Sequence, residues 1–167
     1  MVSAVANDGK LVTPHVVREI VDSDGNIQQT MDTQVKRQVI SKQISDKMNN
    51  YLENVVSQGT GQNAYVAGYR VGGKTATSEK QPKSNKKLRI ASFIGLAPMD
   101  DPQYAVLVMV DEPQTDNKGG GAVAAPVVAR IFEDILPYLG VEPDYSSDDI
   151  RGVNITLPDV CLLYTSD

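Results

Sequence analysis

The chain has few of the side chains that build metal centres, because its 167 residues include a single histidine, His15, and a single cysteine, Cys161. A zinc site of the usual nitrogen and sulfur ligands needs three or four such groups, so this class of site is excluded. A catalytic Cys–His pair distant in sequence is not excluded by spacing, but no other feature supports one. His15 is predicted to be a surface residue.

The chain also lacks an excess of positive charge and a long apolar run. Sixteen basic and 21 acidic residues give a net charge of −5, which excludes a global attraction to nucleic acid. No apolar run approaches the roughly 20 residues that span a bilayer. Residues 1–7 lack the basic segment and apolar core of a signal peptide. They are predicted to be the last turns of a helix capped by residues 7–9, and the chain is therefore expected to be a fragment.

What is present is a 41% apolar composition, enough for one domain with a core. The pattern predicts an α/β (α+β) fold: an N-terminal hairpin, three central antiparallel strands and a long C-terminal helix packed on the sheet. The first expected elements are a β-rich run at 11–21 that returns at 27–30, a helix from N-cap Ser41 to 59–61, and an extended segment at 65–71. Strands at 90–98 and 104–110 follow, and the second of these is expected to be buried on both faces. The last elements are a flexible turn at 115–121 and a helix at 122–139 with Pro126 in its first turn.

The stretch VGGKTATS at 71–78 contains the side chains best suited to binding a ligand. Two glycines at a strand end allow another backbone or a ligand to come close. Lys74 supplies a cation, and Thr75 and Thr77 supply hydroxyls. These groups suit a small anion such as a carboxylate, although a Lys-Thr pair at a strand end is also typical of a solvated surface.

A nucleotide-binding loop is a second interpretation of the same residues. Gly68, Gly73, Lys74 and Thr75 satisfy G-x-x-x-x-G-K-[ST], the phosphate-binding pattern. That loop must open a helix, whereas a polar segment with a proline follows here. The match is therefore interpreted as accidental.

Four segments occur in an order and spacing that together resemble one family. They are ANDGKLVTPH at 6–15, GKTAT at 73–77, ASFIGLAP at 91–98 and YAVLVMVDEP at 104–113. The chain resembles the C-terminal half of the transpeptidase domain of a class B penicillin-binding protein, of the sporulation or division type. The resemblance implies a partial penicillin-binding transpeptidase fold, similar to that of serine β-lactamases, without a cofactor.

The resemblance also implies roles for residues 74–77, which match the family's Lys-Thr-Gly motif except that Ala76 replaces glycine. Lys74 would face the serine of the second motif, passing protons and holding charge. Thr75 and Thr77 would bind the carboxylate of a D-Ala-D-Ala stem peptide or a β-lactam, beside Ala76, whose methyl would narrow the site. The backbone N–H of Thr77 would form half of an oxyanion hole. The catalytic residues in this chain would thus be Lys74 and Thr77.

The nucleophile is expected upstream of Met1, so the fragment itself is expected to be inactive. Ser84 and Lys87 form the only Ser-x-x-Lys in the chain. They lie in a basic, proline-flanked segment that offers nothing to activate a serine, and a surface loop is the preferred interpretation. The basic residues there, Lys80, Lys83, Lys86, Lys87 and Arg89, lack interleaved aromatics and do not predict a nucleic-acid site.

The domain boundaries are expected at 1–140 for the transpeptidase part, 141–152 for a linker, 153–160 for the start of a PASTA-like module, and 161–167 for a non-native tail. The resemblance implies peptidoglycan cross-linking at the extracytoplasmic face of the bacterial membrane, with an anchor upstream. Expected partners are peptidoglycan stem peptides, β-lactams and the division or sporulation machinery. The alternatives are a non-catalytic module that binds cell-wall peptide or β-lactam, and a structural fragment without activity.

Overall fold

A computed structural model describes residues 2–80 and 88–144. Ser84, residues 145–152 of the expected linker, the PASTA-like module and the non-native tail therefore lie outside the described residues. The chain divides into two compact units, Met1–Tyr51 and Leu52–Asp167. In the described ranges no helix has both the length and the apolar character needed to cross a membrane. The elements are α1 (Val2–Ala6), β1 (Lys10–Val12), β2 (Glu19–Val21), β3 (Ile27–Thr30), β4 (Val35–Gln38), α2 (Lys42–Ser57), a 3-10 turn (Gln62–Ala64), β5 (Gly72–Glu79), β6 (Arg89–Ala97), β7 (Tyr104–Asp111), α3 (Gly120–Val123) and α4 (Ala125–Tyr138).

The first unit contains two small antiparallel pairs, β1 with β4 and β2 with β3. The predicted hairpin is confirmed, and its turn is organised by Asp22, whose carboxylate accepts hydrogen bonds from the backbone N–H groups of Asp24 and Asn26 at 3.0 and 2.9 Å. The continuous β-rich run expected at 11–21 is two separate strands, and β4 was not predicted. His15 is exposed, as predicted.

Helix α2 begins where the sequence indicates, because the backbone N–H of Ile44 donates to Ser41 Oγ at 3.3 Å. Its last turns belong to the second unit. There Glu53 accepts two hydrogen bonds, from Arg70 Nε and Nη2, each at 2.7 Å. This bidentate pair fixes the segment that leads into β5.

The second unit is a three-stranded antiparallel sheet in the order β5-β6-β7, with α3 and α4 on one face. Phe93 and Phe132 are fully buried between sheet and helix, each contributing about 1.5–3 kcal/mol. A Cβ at Gly95 would lie 2.6 Å from Val128 Cγ1, so this glycine lets α4 pack closely on β6. The C-terminal helix on the sheet is confirmed, with Pro126 in the first turn of α4.

Three details of the predicted sheet and helix are wrong. Residues 65–71 form no extended strand but a turn closed by one bridge, Val66 to Tyr69. β7 is buried on one face only, and Leu107 and Met109 are 58% and 62% exposed. The helix expected over 122–139 begins earlier, as α3, and is interrupted at Ala124, which caps both segments.

Candidate functional site

The stretch singled out in the sequence lies inside a strand and not after one. β5 begins at Gly72 and pairs in continuous register with β6, so that Lys74 faces Ile94 and Thr77 faces Ala91. Among residues 2–80 and 88–144 no other strand pairs with β5, which is therefore an edge strand. An edge strand carries backbone groups that a ligand can bind.

The register decides which backbone groups of β5 face the free edge. The N–H of Lys80 donates to the carbonyl of Leu88 at 2.9 Å, which marks Lys80–Leu88 as a hydrogen-bonded pair. Such pairs alternate with non-bonded pairs along antiparallel strands. The N–H and C=O groups of Ala76 and Lys74 therefore point toward β6, and those of Thr75 and Thr77 point toward the edge.

The side chains of β5 alternate between the two faces of the sheet. A Cβ at Gly73 would lie 2.5 Å from Phe93 Cζ, which places this residue on the helix-covered face. Thr75 and Thr77 share that face by the period of two. Lys74 and Ala76 lie on the opposite face and are exposed. Only a glycine at 73 allows Phe93 to pack beneath the strand.

Lys74 and Thr75 come together at the edge although they belong to opposite faces. Lys74 Nζ donates to the backbone oxygen of Thr75 at 3.0 Å and to Thr75 Oγ1 at 3.3 Å. Thr60 Oγ1 lies 3.2 Å from Thr75 Oγ1 on the other side. The sequence interpretation assigned Thr60 only to the end of a helix, and no signal in its neighbourhood indicated this contact.

Thr77 is held separately, by the start of α3. The backbone N–H of Gly120 donates to Thr77 Oγ1 at 3.2 Å. A Cβ at Gly120 would lie 2.1 Å from the Ser92 oxygen and 2.8 Å from the Ala76 oxygen. The absence of a side chain at 120 therefore allows α3 to rest directly on the β5–β6 backbone.

Of the lysines in the described residues at β5, Lys80 is ion-paired and Lys74 is not. Lys80 Nζ lies 2.6 Å from Glu112 Oε1 and 3.0 Å from Asp111 Oδ1. These hydrogen bonds, the one to Glu112 first, raise the pKa of Lys80. Lys80 is thus an ion-paired residue, contrary to its assignment to a solvated loop, whereas no carboxylate pairs with Lys74 in the part of the chain that the structure describes.

The nucleotide interpretation is not supported, because Lys74 and Thr75 lie within β5 and open no helix. Nor do three His, Cys, Asp or Glu side chains come together as a metal site among the described residues. The arrangement is an ammonium, two hydroxyls and outward N–H groups along one strand edge. These are donors that suit an anion.

Sequence comparison identifies a family and several relatives of this chain. The family described as "Penicillin binding protein transpeptidase domain" matches residues 1–133. Stage V sporulation protein D of Bacillus subtilis (strain 168) is 43% identical over 179 residues, covering 99% of this chain and 27% of that protein. The chain spans between 17% and 27% of the length of the first curated relatives that it matches.

Structural comparison gives the same family. The transpeptidase domain of Burkholderia pseudomallei penicillin-binding protein 3 matches with a TM-score of 0.68 and 37% identity, over 85% of this chain and 41% of that one. Penicillin-binding protein 3 of Mycobacterium tuberculosis, solved in complex with ampicillin, matches with a TM-score of 0.68 and 29% identity, over 84% of this chain and 34% of that one.

Proposed function

Since the chain belongs to the penicillin-binding protein transpeptidase family, we propose that β5 forms the carboxylate-binding wall of a peptidoglycan D,D-transpeptidase. The reaction is acyl transfer from D-Ala-D-Ala stem peptides: a serine attacks the penultimate D-Ala carbonyl, D-alanine leaves, and an amine of a second stem takes the acyl group. β-Lactams acylate the same serine by ring opening.

The proposal assigns roles to all four residues of the motif, 74–77. The Lys74 ammonium holds charge and assists proton transfer near the second-motif serine. Thr75 and Thr77 donate hydroxyl hydrogen bonds to the terminal carboxylate, and Ala76 lines the same edge. The N–H of Thr77 stabilises the oxyanion that forms at the attacked carbonyl, a contribution of about 2.7–4 kcal/mol in comparable sites.

The observation that carries the proposal is the coincidence of three groups at one free edge. Lys74 has no carboxylate partner among the described residues and already reaches the edge through Thr75. The alternation of β5 directs the Thr77 N–H to that edge. A solvated surface strand requires no such coincidence of cation, hydroxyls and unpaired N–H groups.

The serine nucleophile and the second-motif residues belong, in this proposal, to a segment that the chain does not include. Residues 1–140 are the C-terminal part of the transpeptidase domain, 141–152 a linker, 153–160 the start of a PASTA-like module, and 161–167 a non-native tail. The enzyme acts at the extracytoplasmic face of a bacterial membrane, with partners in division or sporulation. The last three ranges rest on sequence alone.

A chimera tests the proposal. The part of the B. subtilis relative that precedes the matched region is joined to this chain, and acylation by a fluorescent penicillin is timed on gels. Lys74→Ala should lower the acylation rate at least ~100-fold, about 2.7 kcal/mol at the transition state.

Lys47→Ala is the matched control, because Lys47 is an exposed lysine of α2, and it should leave the rate within twofold. The unaltered relative is the positive control, and circular dichroism verifies that each chimera is folded. A Lys74→Ala rate within threefold of the parent chimera would remove Lys74 from the site.

A further inference from the structure

The backbone at Thr60 is placed by close contacts that only glycines permit. A Cβ at Gly61 would lie 2.9 Å from Phe93 Cε2, and a Cβ at Gly121 would lie 2.2 Å from the Thr60 carbonyl oxygen. Asn63 Nδ2 donates to the Gly121 carbonyl at 2.8 Å and fixes the same junction. The Thr60 hydroxyl therefore meets Thr75 from a constrained backbone, although both side chains are accessible at the strand edge.

The hydrogen-bonding capacity of a hydroxyl limits what Thr75 can do. Thr75 Oγ1 has one proton to donate and two lone pairs that accept. The ammonium of Lys74 can only donate, so it takes one lone pair. If Thr60 donates into the second lone pair, the proton of Thr75 is left for an outside acceptor. If Thr60 accepts, Thr75 donates its one proton to Thr60 and has none left for a ligand.

We propose that Thr60 is a positioning residue that donates to Thr75 Oγ1 and thereby directs the Thr75 hydroxyl proton toward the substrate carboxylate. The inference rests on the proposed carboxylate site and adds to it the residue that orients its donor. Thr77 has the equivalent arrangement, because Gly120 N–H donates to its oxygen and leaves its proton for a ligand. An anion at the edge then accepts hydrogen bonds from two hydroxyl groups. The site should therefore bind an acid more tightly than its neutral analogue.

The test uses the 167-residue chain labelled with ¹⁵N. Two ligands are titrated: diacetyl-L-Lys-D-Ala-D-Ala and its C-terminal carboxamide, which lacks the anion. The shifts of the Thr75 and Thr77 backbone amides give the dissociation constants. Thr60→Val, which keeps the branched shape and removes the hydroxyl, should raise the Kd for the acid about fivefold, the effect of one neutral hydrogen bond. The Kd for the carboxamide should not change.

Four further variants complete the design. Thr75→Val removes the proposed donor itself and should weaken binding of the acid. Thr60→Ser keeps the donor and should stay within twofold of the unaltered chain. Thr60→Ala removes the hydroxyl without a branched methyl, so the result does not depend on how one variant folds. Thr30→Val makes the same substitution at an exposed position of β3 and should change neither Kd.

The outcomes separate this inference from the function on which it rests. If Thr75→Val weakens acid binding while Thr60→Val and Thr60→Ala do not, Thr60 has no positioning role but the carboxylate site stands. Equal loss for acid and carboxamide would indicate a structural role and overturn the inference. If the unaltered chain does not prefer the acid, the carboxylate site and the role of Thr60 both fail.

Discussion

Replacing Gly120 by alanine tests whether the contact between α3 and the site strand depends on a missing side chain. The added Cβ would lie 2.1 Å from the Ser92 oxygen and 2.8 Å from the Ala76 oxygen, whereas real Cβ contacts are essentially never below 3.0 Å. Both obstacles are backbone atoms of the paired strands β5 and β6, which cannot rotate away. α3 must therefore move outward by about 1 Å.

The expected cost combines three effects. Overpacking of this kind costs about 1–3 kcal/mol. Loss of the hydrogen bond from Gly120 N–H to Thr77 Oγ1 adds about 1 kcal/mol. Alanine restricts the unfolded chain more than glycine does, which offsets the loss in the free energy of unfolding by about 0.4–1 kcal/mol. Gly120→Ala should therefore lower the free energy of unfolding by about 1–4 kcal/mol.

Gly119→Ala is the matched control one residue away. A Cβ there would meet only Asn117 Oδ1, the end of a side chain, at 3.2 Å, and its free energy of unfolding should stay within about 0.5 kcal/mol of the unaltered chain. Urea unfolding followed by far-UV circular dichroism measures both variants. Equal stability of the two variants would refute the close contact between α3 and the strand pair.

Three more predictions follow from other residues. In the chimera, Ala76→Gly should keep or raise the acylation rate because it removes a methyl from the exposed face of the edge strand, and a large drop would show that the alanine is required. The chain alone should form no covalent adduct with fluorescent penicillin on a denaturing gel, since acylation needs a serine with a neighbouring base; stoichiometric label on Ser84 would contradict both the loop interpretation and the external nucleophile. Hydrogen bonds to Asp8 and Asp46 raise the pKa of Lys42 from 10.5 to about 12. The ion pairs of Lys42 therefore stabilise the folded chain below pH 10.5, and this stabilisation is lost as the pH rises through about 12. The melting temperatures of the unaltered chain and of Lys42→Met should converge between pH 10.5 and about 12. A difference in melting temperature that stays constant over this range would show that the ion pairs do not cause it.

The sequence predicted what depends on local chemistry. Ser41 caps α2, Pro126 lies in the first turn of α4, and the chain returns as a hairpin at 27–30, because each effect acts within a few residues. The motif residues Lys74, Thr75 and Thr77 were found from their types and order, and all lie on one strand.

The sequence could not predict what depends on distant neighbours. Residues 65–71 have β-favouring types, but Gly68 at φ 78° turns the chain, and Val66, Tyr69 and Val71 are buried by tertiary packing. Leu107 was expected inside because it is apolar, yet the strand alternation leaves it exposed. Thr60 contacts Thr75 only after the sheet, α2 and α3 have assembled, so no local sequence pattern predicts this contact.

The order of the sheet bears on how the chain folds. β5, β6 and β7 are neighbours in the sheet in the same order as along the chain. Each pairing can close as a hairpin, without waiting for a strand from elsewhere in the sequence. Topologies of such low contact order fold fast, because little loop entropy is lost before the first pairs form. The register that turns Thr77 N–H to the edge can thus be established early, by β6 alone. We expect mutations in the β6–β7 hairpin to slow folding, and mutations at Thr60 or Gly120 to speed unfolding instead.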